Sequence, residues 1–300
     1  METKTTHVLG QHVELSHRDQ PLFRYVYRSD AAQVESPRPY LHPVRTLAGD
    51  TVTIFRPHDH RWHHGVSMTC ANLSGENFWG GPTYVEGRGY AQLPNNGRVD
   101  HESWDVVEEV SGRLRLVERL AWVTEGGERW VDERRTLEVV EVDPASGHWT
   151  LRLGFLLWNA SGRALDLGSP TTEGRPMAGY GGLFWRGPRS FLNGRILGGD
   201  DLEGPDAMGR RAPWLAFTGA HDGSDRSSTL VFVDHPENPR HPTKWFVRSD
   251  PYACVSCAFM FDEVYTLAPG EGLSLRYLLI VATGDWDRAR IEDRVARLFD

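Results

Sequence analysis

The chain is short of the residues and patterns by which many function classes are recognised. Its 300 residues hold three cysteines, Cys70, Cys254 and Cys257, too few for a disulfide framework. No apolar run approaches the ~18–20 residues of a membrane-spanning helix. The opening METKTTHVLGQHVELSHRDQ lacks the apolar core of a secretory signal. Positive charge is outweighed, 33 Lys and Arg against 41 Asp and Glu, a formal −8. No basic surface dominates, so neither nucleic acid nor membrane is expected as a partner. Also missing are G-x-G-x-x-G after a strand, a Walker loop, G-x-S-x-G and H-E-x-x-H, which removes most support for a nucleotide cofactor, a serine hydrolase or a zincin. Together these absences predict a cytoplasmic protein with a small polar ligand.

What is present is period two. Trp149, Leu151, Leu153, Phe155 and Leu157 alternate with Thr150, Arg152 and Gly154, Leu114, Leu116, Leu120 and Trp122 alternate with Arg113, Arg115 and Arg119, and Leu273, Leu275, Tyr277, Leu279 and Val281 recur at the same spacing. Each run predicts a strand with a buried face. Turn residues fall at Ser111-Gly112, Gly126-Gly127, residues 143–147 and Ser161-Gly162, so the strands are about ten residues long and joined by tight hairpins. Only residues 285–300 predict a helix, with Trp286, Ala289, Ile291, Val295 and Leu298 on one stripe. Cys254 and Cys257 lie three apart on an expected strand and so face opposite ways, as core cysteines rather than a redox or zinc pair. The Gly/Pro-rich residues 169–213 are the one candidate boundary, but too aromatic for a tether, and are read as long loops at a sheet edge. The expectation is one domain over residues 1–300, an all-β, large antiparallel β-sandwich with a short C-terminal helix.

Four segments could carry chemistry. RPHDHRWHHG, residues 56–65, gathers four histidines and an aspartate between two expected strands, TVTIFRP and GVSMTC. If the first strand runs on, His58 and His60 share a face. His58, His60 and His63 could ligate a divalent metal; the same imidazoles could serve acid–base catalysis or substrate binding, or form a hydrogen-bonded structural cluster. Residues 77–104 supply Trp79 and Tyr84 as a floor for a sugar's apolar face, amid glycines that admit close approach. Residues 169–191 offer Glu173, Arg175, Tyr180 and Arg186. DHPENPRHPTKWFVR, residues 234–248, is stiffened by proline and carries His235 and Arg240, suited to a polyhydroxylated or anionic ligand.

D-H-x-x-H-x-G at Asp59 to Gly65, N-F-W-G-G at residues 77–81, YGGLFWR and D-H-P-x-N-P-R together resemble the bacterial family labelled PmoA, across about residues 20–282. That label refers to a membrane-bound methane monooxygenase subunit; this chain has no span, so the activity is not transferred. The resemblance implies a galactose-mutarotase-like β-supersandwich and a carbohydrate, or oxidised carbohydrate, as ligand. His60 and His63 match the family's motif, whereas His64 sits where other members often differ. His101 is a further candidate. In mutarotase-like sites a carboxylate and a histidine exchange protons; here Glu173 would be the base, His60 or His63 the acid, with Arg186 and Tyr180 fixing hydroxyls. On a 3-keto sugar the same pair could drive β-elimination, hydration or epimerisation, with a divalent metal as an optional Lewis acid and no nucleotide cofactor. The rivals are a non-catalytic carbohydrate-binding or sensing domain and a metal-dependent oxygenase. A homodimer is the candidate assembly.

Overall fold

A computed structural model describes residues 3–110 and 113–298. Two eight-stranded antiparallel sheets dominate. The first runs, edge to edge, Thr3–Val8, His12–His17, Gln20–Val26, Tyr40–Val44, Val66–Thr69, Gly182–Arg186, Cys254–Cys257 and Trp245–Arg248. The second runs Arg195–Gly198, Trp214–Ala220, Ser227–Asp234, Gly272–Thr283, His148–Asn159, Arg129–Asp143, Arg113–Val123 and Arg98–Val110. The alternation builds the second sheet. Leu114, Leu116 and Leu120 are buried while Arg113, Arg115 and Arg119 are exposed. One rung runs Leu116–Leu137–Leu153–Tyr277 across four strands, so each apolar side chain meets another at cross-strand distance. The largest buried cluster fills the space between the sheets, with residues from Val13 to Val281. The architecture is thus the expected all-β antiparallel sandwich.

The expected turns at Gly126-Gly127 and residues 143–147 close hairpins. Ser161-Gly162 instead carries the chain from His148–Asn159 to Leu165–Gly168, a strand of a separate three-stranded sheet, and Ser111-Gly112 lies outside the described residues. Residues 169–213 are not only loops, since Gly182–Arg186 is an interior strand with both faces buried. TVTIFRP is not a ladder strand. Thr51 and Phe55 make isolated bridges, and its amides bond different partners, Val52 to Val44 and Ile54 to Arg186. The helix spans Arg288–Ala296, its first turn capped by the Asp287 carboxylate accepting from the Arg290 amide. Trp286 and Ile291 pack on the outer face of the second sheet against Val231, Val233, Leu278 and Ile280. Ala289, expected on that stripe, is exposed; the contact is a narrower seam. Among the described residues no helix is long and apolar enough to cross a membrane.

Candidate active site

The site lies on the outer face of the first sheet, over its last three strands. Period two divides these strands cleanly. Leu183, Trp185, Val255, Trp245 and Val247 enter the main core, while Phe184, Cys254 and Phe246 join a separate cluster on the far side with Trp79, Ala258 and Phe261. Arg186 and Arg248 both pair in register with Cys254, so two guanidiniums flank one cysteine on this face. Loops fold over it and enclose a cavity of about 400 Å³ lined by His60, Trp62, His63, Trp79, Arg175, Tyr180, Arg248 and Tyr252, among others.

Arg38 fastens the loops together. Buried, it donates to the carbonyls of Glu35, Ser36, Trp79 and Trp62 and to Ser67 Oγ, tying the histidine loop to N-F-W-G-G. Gly80 and Gly81 of that motif have φ of +102° and +68°, and a Cβ on Gly81 would lie 2.6 Å from the Trp62 ring. Both the backbone conformation and the indole therefore require glycine.

His60 and His63 stack, rings 4.6 Å apart and 19° from parallel, and their hydrogen bonds fix opposite tautomers. Arg186 Nη1 donates to His63 Nδ1 at 2.8 Å. Arginine cannot accept, so neutral His63 carries its proton on Nε2, a buried nitrogen with no hydrogen-bond partner among the described residues. Burial first, then the nearby His60, Arg186 and Arg38, holds His63 well below the usual histidine range. His60 Nδ1 is 3.1 Å from the Asp59 carboxylate, an acceptor, so neutral His60 leaves Nε2 free to take a proton. Burial lowers its pKa and Asp59 partly opposes this. Burial works to raise Asp59, but bonds from Arg186, at 2.8 Å, and His60 hold it at about 2. Tyr252 lies over the Arg186 guanidinium at 3.9 Å. Burial pushes the Cys254 thiol up to about 12, so it is no thiolate nucleophile near neutral pH.

The structure thus brings together His60, His63, Trp79, Arg175, Tyr180 and Arg186 of the predicted residues, with Arg186 bonded to His63 and Asp59. The others lie elsewhere. The chain turns at Pro57 to His60, so His58 and His60 do not share a strand face; His58 is exposed and accepts from Arg189 at 2.7 Å. The three histidines therefore do not converge on one ion. Among the described residues the group close enough for that is Glu141, Asp143 and His148, and the Arg294 guanidinium already bonds Glu141 and His148 there. Glu173 is exposed on neighbouring depressions, one shared with Tyr84. His101 bonds buried Glu118 at 2.6 Å, part of an inter-sheet network with Tyr25, Arg135 and Glu133. Arg240 clamps the carbonyls of Phe259, Glu263 and Val264, and His235 accepts from the Glu237 amide; neither lines the cavity. Arg248 and Tyr252 were missed. For Arg248 the signal was the strand alternation in WFVR, which sets it on the same face as Phe246; Tyr252 lies in the loop that follows, where no periodicity marks it.

The fold and site define an antiparallel sandwich with an aromatic, arginine-lined pocket on one outer sheet face. The chain belongs to DUF6807, a family of unknown function, whose model matches residues 12–296. No curated protein matches it. Among solved structures it is similar to a galactose 1-epimerase from Lactobacillus acidophilus NCFM (TM-score 0.42, 8% identity, 95% of this chain and 100% of that one). It is similar also to a putative kojibiose phosphorylase from the human microbiome (0.38, 8%, 92% and 28%). A third is a TPR-domain containing protein from Parabacteroides distasonis ATCC 8503 (0.38, 10%, 92% and 48%).

Proposed function

We propose that the chain is a carbohydrate-active enzyme that moves protons on a sugar or a 3-keto sugar within this cavity. The observation that carries the reading is the stacked histidine pair with opposed tautomers, one nitrogen open to accept and one N–H free to donate. His60 Nε2 takes the proton from the carbon beside the carbonyl. The C–H electron pair becomes the C=C bond of the enolate, and the His63 Nε2–H donates to the carbonyl oxygen as it turns negative. Delivery of a proton from solvent to the opposite face, with His60 releasing its own to water, gives an epimer. Departure of a β-oxygen substituent, which takes the proton from His60 as its C–O bond breaks and the enolate's carbonyl re-forms, gives elimination. Glu173, the base expected from sequence, is replaced in this role by His60. Trp79, Tyr180 and Tyr252 supply flat walls against which a sugar ring's C–H face packs. A metal on His58, His60 and His63 does not fit the donor geometry, since His58 faces Arg189 and His63 Nδ1 faces Arg186.

The test is incubation with 3-keto glucosides and aldoses in D₂O, followed by NMR. Deuterium uptake beside the carbonyl, or an enone signal, is expected for the native chain, reduced ~10²–10⁴-fold in His60→Gln. Line broadening without exchange would favour a binding or sensing domain instead.

A further inference from the structure

The cavity's charge points to its occupant. Two arginines, Arg175 and Arg248, line the cavity; Arg186, which bonds His63 from outside the lining, is answered by Asp59 at 2.8 Å. Arg248 and Arg175 meet no carboxylate among the described residues. Arg248 lies 5.0 Å over the Phe246 ring, and Arg175 lies 4.8 Å over the Tyr90 ring and donates to its hydroxyl. Elsewhere arginines sit on carboxylates, as Arg119 and Arg134 do on Asp105. The residues lining the cavity include no Asp or Glu. A chain with net charge −8 therefore keeps two uncompensated guanidiniums in an aromatic recess, where low dielectric strengthens their field. His60 and His63 add no charge when neutral. Guanidinium forks match carboxylate and phosphate oxygens and stack on aromatic faces, as both arginines already do.

We infer that the ligand is anionic, a sugar bearing a carboxylate or a phosphate, whose acid group is held between Arg175 and Arg248 while its ring lies on Trp79 and Tyr180. This rests on reading the cavity as a sugar site, and it assigns those two arginines a specificity role apart from the histidine pair.

Isothermal titration of the native chain with D-glucuronate, D-gluconate, glucose 6-phosphate, D-glucose, acetate and inorganic phosphate tests it. At least one anionic sugar is expected to bind roughly tenfold or more tighter than D-glucose, with affinity falling as salt rises. Arg248→Gln and Arg175→Gln are each expected to bring the anionic sugar's affinity down to that of D-glucose measured in the same variant, while Arg248→Lys retains part of the advantage. The carboxylate and phosphate arms identify which acid group is preferred. D-glucose binding as tightly as every anionic sugar overturns the inference and leaves the sugar reading standing. Acetate or phosphate binding as tightly as the sugar acids supports the anion site and removes the sugar. No binding by any anionic sugar, or an anionic-sugar advantage undiminished in Arg248→Gln, also overturns the inference.

Discussion

At the scale of single residues, the site is governed by which groups can accept. Arginine is donor-only and carboxylate acceptor-only, so Arg186 and Asp59 between them set both histidine tautomers. A base must be unprotonated, and burial lowers His60. Exchange activity is therefore expected to hold down to a pH below 6.5 and to fall as the pH drops through the His60 value. Asp59→Asn removes the charge that raises His60, so the acid limb should move to still lower pH. A pH–rate profile checks this, and an acid limb above 6.5 would count against His60 as the base. The histidines were legible in RPHDHRWHHG as a cluster; their division of labour was not. Which imidazole points inward depends on the turn at Pro57 to His60, and the guanidinium that bonds the His63 ring comes from Arg186, more than a hundred positions away. For the same reason Glu173 and His101 were plausible in sequence. Nothing local reveals that Glu173 faces solvent or that Glu118 claims His101.

At the scale of elements, strand alternation was the most readable feature, and it placed the three long strand runs of the second sheet. It misjudged TVTIFRP, whose pattern suits a strand but whose amides bond several partners in turn. Within Gly182–Arg186 both faces are buried, one against the core and one against the cavity, so the sequence reads as continuously apolar and hides which side carries the site. N-F-W-G-G was recognisable as a motif, but its reason is the Trp62 ring against Gly81. Gly81→Ala is expected to cost ~1–3 kcal/mol for the strained backbone alone, and to weaken sugar binding by displacing Trp62 from the cavity wall. Denaturant unfolding with parallel titration checks both; an unchanged midpoint and affinity would remove the glycine's assigned role.

At the scale of the whole molecule, the folded chain holds many histidines neutral. Burial lowers His42 to about 4 and also depresses His60, His63, His64 and His148. In the unfolded chain each would take a proton near 6.5. Between that value and the folded one the unfolded state binds more protons, so stability rises with pH through the window and is lost as pH falls below 6.5. Buried Glu118 and Asp234, whose pKa values are raised, act in the opposite sense at lower pH, but the histidines are more numerous. The melting temperature is expected to fall between pH 7 and pH 5. A constant or rising value in thermal denaturation would mean these imidazoles charge without penalty. The motifs pointed to a family labelled PmoA; the family that matches carries the description DUF6807.

The account turns on the two stacked imidazoles, and long-range ¹H–¹⁵N correlation of the histidine rings at pH 7.5, assigned with His60→Gln and His63→Gln, reads them directly. The expected spectrum has neutral His60 protonated on Nδ1 and neutral His63 protonated on Nε2. Both rings in the same tautomer, or His63 doubly protonated, would contradict it.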